Sequence, residues 1–146
     1  MEPKYYEELM ALRLERAEEL LSEAQDLYHN EKYKSANNRA YYAIEKAIKA
    51  LLLSKGIDAV THSGNLKQFN IHFIYKGDGT FTPDDYQMAA GAEQIRNLSD
   101  YDDFYIASKK ATLTQIQNAQ YLVDKIQRVL NTVADEKAKN EEKPSN

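Results

Sequence analysis

The residues best suited to chemistry lie in one short stretch of the sequence, which begins at Arg96 and ends at Tyr105. Three carboxylates, those of Asp100, Asp102 and Asp103, follow the arginine within this stretch. An arginine beside carboxylates can form a bidentate ion pair that fixes a loop, and clustered carboxylates can hold a divalent cation through their oxygen atoms. Because the spacing lacks the full loop pattern of a dedicated calcium site, the stretch predicts an arginine-centred binding site without a metal.

The negative charge of the chain is concentrated around the same arginine. The whole chain has a net charge of −4. Residues 77–103 contain seven carboxylates and a single cation, Arg96, so this window alone carries −6. Carboxylates repel a phosphodiester backbone, so this balance does not favour a general nucleic-acid binder. Two interpretations stay open: a solvated acidic helix and loop, or carboxylates that hold Arg96 for a function.

Other chemically capable residues are few. The chain has no cysteine and three histidines, which excludes disulfides, thiolate catalysis and cysteine-based metal sites. His62 could act as a general base or could simply hydrogen-bond near the start of a helix. Tyr41 and Tyr42 interrupt an otherwise apolar helix face, and either amphipathic packing or a dimer contact explains them. The sequence contains no glycine-rich phosphate loop and no nucleophile elbow, and we expect no cofactor.

Apolar residues at three- and four-residue steps predict the helices that must position these groups. Long helices are predicted over residues 4–29, 31–55, 82 to about 100, and 108 to about 133. Residues 61–75 predict a short irregular helix, although residues 70–75 alone would also fit a strand. Asn30 is predicted to end the first helix and cap the second, Gly56 to end the second, and Thr82 and Ser108 to cap the last two. Long helices with short links predict an all-α fold, an antiparallel up-and-down four-helix bundle with one short additional helix.

The length of 146 residues predicts one domain. We expect the bundle to cover residues 1–134 and residues 135–146, which are charged and almost without apolar groups, to form a disordered tail. No apolar run approaches the ~20 residues of a membrane span, and the first residues lack the pattern of a signal peptide. These features predict a cytoplasmic protein without membrane association.

Four stretches, taken in order, resemble the HEPN superfamily of small bacterial and archaeal helical bundles. They are residues 16–21 in the opening helix, residues 40–52, residues 61–64, and residues 96–105 followed by an amphipathic last helix. The resemblance covers roughly residues 10–130. It implies a four-helix up-and-down bundle, usually a homodimer, that is often encoded beside a minimal nucleotidyltransferase.

Catalytic members of this superfamily are metal-independent ribonucleases whose motif is an arginine, a polar residue and a histidine a few positions further on. Here Arg96 matches the arginine and Asn97 the polar residue, whereas Tyr101 stands where the histidine would be. A tyrosine, with an ordinary pKa of about 10, is a poor general base at neutral pH compared with a histidine, with a pKa of about 6.5. The resemblance therefore implies a non-canonical branch that keeps the fold and the dimer but departs at the catalytic position.

Three functions are compatible with these residues. The first is a binding and regulatory protein, the partner of a minimal nucleotidyltransferase in a toxin–antitoxin-like or nucleotide-related system. The second is a metal-independent ribonuclease toxin, and the third is a structural helical adaptor without a ligand. A small nucleotidyltransferase gene beside this one would favour the first two over the third.

The first two hypotheses assign different roles to the same residues. As a binding protein, the chain would bind a phosphate or acidic groups of the partner through Arg96, and its carboxylates would contact a basic surface of the partner. Tyr101 or Tyr105 would accept a nucleotidyl group. The binding candidates are Arg96, Asp100, Asp102, Asp103, Tyr105 and Tyr41. As a ribonuclease acting on RNA, the chain would use Arg96 and Asn97 with Tyr101 or His62.

Overall fold

Helices account for most of the described residues in the structure, a computed structural model that covers residues 3–59 and 62–142. Five α-helices occur, α1 (Pro3–His29), α2 (Tyr33–Leu53), α3 (His62–Phe69), α4 (Pro83–Tyr101) and α5 (Lys109–Glu142), with a π-helical segment at Asn70–Tyr75. No strand occurs within the described ranges. The predicted all-α class is confirmed, and the strand alternative for residues 70–75 is wrong.

Most of the predicted helix ends are confirmed by their hydrogen bonds. At the start of α4, the Thr82 hydroxyl accepts from the Asp85 amide at 3.3 Å and the Asp85 carboxylate accepts from the Thr82 amide at 2.9 Å, a reciprocal capping box. The Ser108 hydroxyl likewise accepts from the Ala111 amide at the start of α5, at 3.1 Å. Gly56 follows α2 with a φ of +74°, as a helix-ending glycine requires.

Side-chain pairs join the four long helices to one another, while α3 and the π-helical segment connect α2 to α4. The pairs that join them are Glu23 with Arg39 between α1 and α2, Asn37 with Ser99 between α2 and α4, Asp85 with Lys125 between α4 and α5, and Glu7 with Lys137 between α1 and α5. Fully buried alanines such as Ala17, Ala24, Ala40 and Ala47 line the contact between α1 and α2. Small side chains at these positions allow the two backbones to approach closely.

Two helix ends differ from the sequence prediction. Asn30 does not cap α2: its side chain donates back to the Asp26 carbonyl at 2.8 Å, and α2 begins after Lys32 without a side-chain cap. Glu31 takes a left-handed φ of 61° and turns the chain between the two helices. At the other end of the chain, α5 continues to Glu142, so most of the predicted tail is helical, although residues 131–141 are exposed. The alanines and charged residues with good helix propensity in this segment favour that extension.

None of the described helices combines the length and the apolarity that a membrane crossing requires.

The π-helical segment ends against a glycine, and this contact gives a prediction. A Cβ added at Gly77 would lie 2.1 Å from the Phe73 carbonyl oxygen, which is backbone and cannot rotate away. We therefore expect Gly77→Ala to lower the free energy of unfolding by about 1–3 kcal/mol, measured by urea denaturation. Gly91, inside α4, has no atom within 4 Å of such a Cβ. Gly91→Ala is the matched control and should stabilise the fold by about 0.4–1 kcal/mol. Equal stability of the two variants would contradict the steric argument.

Candidate functional site

Arg96 lies buried between α2 and α4, and tyrosine rings surround it. Only 5% of the residue is exposed. Its guanidinium carbon lies 5.2 Å from the ring centre of Tyr41, 5.5 Å from that of Tyr42 and 5.7 Å from that of Tyr101. Attraction between a cation and an aromatic face contributes about 0.5–2 kcal/mol, more as water is excluded. The arginine is therefore held mainly by aromatic side chains of two helices.

The ion pairing of Arg96 is incomplete. The closest carboxylate oxygen, Oδ2 of Asp100, is 3.9 Å from Nη1, and the Tyr101 hydroxyl is 3.5 Å from the same nitrogen. The Asp100 carboxylate instead accepts a shorter hydrogen bond, of 2.9 Å, from the Asn38 amide group. Nε of Arg96 is buried and has no hydrogen-bond partner among the described residues. A desolvated guanidinium with unused donors favours an anion that can accept from it.

Tyr41 closes the inner side of the site. It is 1% exposed, and its hydroxyl donates to Oε2 of Glu93 on α4 at 3.2 Å. Burial raises the pKa of Tyr41 well above its usual value, and the nearby carboxylates of Glu45 and Glu93 raise it further. The hydroxyl therefore stays protonated at neutral pH. In this form it serves as a hydrogen-bond donor and cannot act as a general base.

Polar side chains of α2 join the site to the end of α4. Nδ2 of Asn37 donates to the Ser99 hydroxyl at 3.2 Å, and both residues are buried. Sequence analysis missed Asn37, Asn38 and Ser99. The available signal was helical spacing, since Asn37 and Asn38 precede Tyr41 and Tyr42 by one turn. A pair of polar residues inside an otherwise apolar face indicates a buried polar contact with another helix.

The end of α4 and the connector that follows it present three large side chains to solvent. Tyr101 is 75% exposed, Phe104 94% and Ile106 86%. Asp102 shapes the connector, because its carboxylate accepts from the Phe104 amide at 3.0 Å. Clustered exposed apolar side chains indicate a contact surface for another protein.

The structure brings together some of the predicted site residues and separates others. Arg96, Tyr41, Asp100 and Tyr101 form one cluster. Asn97, Asp102 and Asp103 are exposed, and Tyr105 is half-buried; none of these four makes a described contact with the Arg96 guanidinium. The side chain of His62, at the start of α3, lies outside the described residues.

The sequence matches the family model of the HEPN domain over residues 10–138, which is most of the chain. The chain belongs to the HEPN family. HEPN relatives from Methanocaldococcus jannaschii include "Putative toxin MJ0605", 34% identical over 128 residues, with 87% of this chain and 92% of that protein covered. A second, "Putative toxin MJ0142", is 36% identical over 131 residues, with 90% and 82% covered.

A solved structure, that of TT1696 from Thermus thermophilus, has the same fold as this HEPN chain. The TM-score is 0.67 at 22% identity, with 82% of this chain and 96% of that one covered. The superposition on TT1696 covers most of this chain, in agreement with the HEPN bundle predicted from the sequence.

Proposed function

We propose that this HEPN protein is the binding and regulatory member of a toxin–antitoxin-like pair, and that Arg96 binds the phosphate of a nucleotide presented by a minimal nucleotidyltransferase. The observation that carries the proposal is the buried guanidinium with a carboxylate no closer than 3.9 Å and an unpartnered Nε. The toxin names of the two Methanocaldococcus relatives support the toxin-like role.

The surroundings of Arg96 suit a phosphate better than another carboxylate. Phosphate oxygens accept from a planar guanidinium in a bidentate manner, and hydrogen bonds of this kind are stronger in a partly desolvated site. The Tyr41 and Tyr42 rings fix the plane of the guanidinium, so little conformational entropy is lost on binding.

Two observations support Tyr101 as the acceptor of a nucleotidyl group. Its side chain is exposed, and its hydroxyl is 3.5 Å from Nη1 of Arg96. In the proposed step the tyrosine oxygen attacks the α-phosphorus of a nucleoside triphosphate, a phosphodiester bond forms, and pyrophosphate leaves. The phenolic proton passes to a base of the nucleotidyltransferase. The guanidinium stabilises negative charge on both the attacking oxygen and the phosphoryl group.

The exposed connector supports the proposed homodimer. Exposure of the Phe104 and Ile106 side chains to water costs free energy, and a second copy of the chain that covered them would remove this cost. A dimer through this surface would bring two Arg96 sites near each other.

Replacement of Tyr101 tests the proposed acceptor. The protein would be incubated with the proposed nucleotidyltransferase partner, magnesium and ATP, and analysed by intact-mass and peptide mass spectrometry. We expect the wild-type chain to gain an adenylyl group and Tyr101→Phe to gain none, because only the hydroxyl is removed. Tyr105→Phe is the matched control and should be modified like the wild type. Modification of Tyr105 with Tyr101 unmodified would contradict the assignment.

The ribonuclease alternative is tested with the purified protein alone. Cleavage of single-stranded or structured RNA that disappears in Arg96→Ala would overturn the binding role. We expect no cleavage, because Tyr41 stays protonated and Tyr101 stands where the family motif has its histidine.

A further inference from the structure

A long groove lies between α1 and α5 at the end of the bundle remote from Arg96. Helix α2 ends at Leu53, whereas α1 and α5 continue beside each other, joined by the ion pair of Glu7 with Lys137. The groove encloses about 1050 Å³ and is lined in part by the last turn of α2 and by Gly56. It occupies the position that a longer α2 would fill.

The dimensions of the groove fit a helix. Its lining runs from Tyr6 to Glu18 on α1 and from Gln127 to Glu141 on α5. At 1.5 Å per residue these walls are about 18 and 21 Å long, which is the length of a helix of about 12–14 residues. A helix of this length with a diameter of about 10 Å occupies about 1400 Å³, which is of the same order as the volume of the groove.

The floor of the groove is apolar and its rim is acidic. Met10, Leu14, Leu53, Leu130 and Val133 contribute apolar surface, and Val133 is 45% exposed. The lining also carries four carboxylates, those of Glu7, Glu15, Glu18 and Glu141, against one cation, Lys137. Glu7 is already paired with Lys137, and Glu15 and Glu18 have no ion-pair partner among the described residues.

We propose that this groove binds a basic amphipathic helix of a partner protein. An amphipathic helix places its apolar residues in such a groove at positions i, i+3, i+4 and i+7. Lysines or arginines along its flanks would meet the carboxylates of the rim, and this complementarity would select a basic helix over an acidic one. The inference is independent of the proposed role of Arg96, because no residue of that site lines the groove.

The test uses the full chain and two synthetic peptides. The first is a fluorescein-labelled 14-residue helix with leucines on one face and lysines on its flanks; the second replaces each lysine with glutamate. We expect fluorescence anisotropy to show at least about tenfold tighter binding of the lysine peptide, and this preference should weaken as salt is raised. Equal affinity for the two peptides, or no binding of the lysine peptide, would overturn the proposal.

Two groove variants and one control variant test whether the peptide binds in the groove. Val133→Lys places a charge on the floor and should weaken lysine-peptide binding at least about tenfold, whereas Leu113→Lys, an exposed apolar position of α5 outside the groove, should leave it unchanged. A Glu15→Lys and Glu18→Lys double variant should reverse the preference between the peptides without touching the apolar floor. Unchanged binding in all of these variants would overturn the proposal. A concentration-dependent dimer that Val133→Lys abolishes, measured by sedimentation velocity, would assign the groove to self-association instead.

Discussion

Removal of the Asp85 carboxylate, in Asp85→Ala, should lower the free energy of unfolding by about 3–5 kcal/mol. Asp85 is 1% exposed, and its Oδ2 accepts from Nζ of Lys125 at 2.7 Å. The variant leaves the Lys125 ammonium beside the rings of Phe81 and Tyr121 without its counter-ion, and it removes half of the capping box with Thr82. Removing one partner of a buried ion pair lowers stability by more than the intact pair adds to it, because the other charge is left buried without a counter-ion.

Urea denaturation of two further variants separates the causes. Asp84→Ala removes an exposed carboxylate from the same helical turn and should cost less than about 1 kcal/mol, since only its interaction with the helix dipole is lost. Adding Lys125→Met to Asp85→Ala should recover part of the loss, because the unpaired charge is then gone. A double variant less stable than Asp85→Ala would show that the unpaired charge is not the main cost.

The same pair predicts an acid dependence of stability. Burial opposes ionisation of Asp85, but hydrogen bonds from Lys125 and the Thr82 amide outweigh it, so the pKa of Asp85 is lowered on folding. A carboxylate with a lowered pKa stabilises the fold above its unfolded pKa of about 3.9, and this contribution is lost as pH falls through the folded value. The stability difference between wild type and Asp85→Ala should therefore be constant near neutral pH and shrink below about pH 4. A difference that did not change with acidification would contradict this account.

If Tyr101 accepts a nucleotidyl group as proposed, Arg96→Lys should reduce the rate of that transfer by about a hundredfold or more. Lysine keeps the charge but lacks the planar fork that stacks on Tyr41 and Tyr42 and binds a phosphate through two donors. A hydrogen bond to a charged group contributes about 1.5–3 kcal/mol, so loss of one or two in the transition state accounts for the factor.

Initial rates with the nucleotidyltransferase partner would measure this effect, with circular dichroism melting curves of each variant alongside. Arg16→Lys is the control: Arg16 is a surface arginine that pairs with Glu19 and Glu23, so its rate should stay at the wild-type value. Transfer at the wild-type rate in the Arg96→Lys variant would rule out a role for the guanidinium itself. A lost rate accompanied by a collapsed melting curve would instead assign Arg96 to the fold.

The helices could be predicted from the sequence because their signals are local. The periodic apolar positions, the Thr82 and Ser108 caps and Gly56 each depend on residues within a turn or two. The π-helical segment at Asn70–Tyr75 could not be predicted, because an apolar run carries no period that separates a widened helix from a strand. The length of α5 was underestimated, since loss of the apolar stripe marks where a helix stops packing and not where its hydrogen bonds stop.

The residues of the candidate site were chosen from the sequence, but their contacts could not be predicted. Sequence neighbours of Arg96 are carboxylates, which suggested ion pairing along the chain, whereas two of the three aromatic rings around its guanidinium come from α2. Periodicity does not show which helix Tyr41 and Asn37 contact. Contacts between α2 and α4 depend on how the bundle is assembled, and a single sequence does not contain that information.

Helix α2 connects the two surfaces described above, since Tyr41 and Tyr42 belong to one and Leu53 to the other. The stretch of α2 from Tyr41 to Leu53 sets a fixed separation of about 18 Å along a rigid rod. A partner that used both surfaces at once would need a tether of at least about six extended residues to reach from one to the other. Each contact would then raise the effective concentration of the other, so two individually weak interactions would suffice for a long-lived complex.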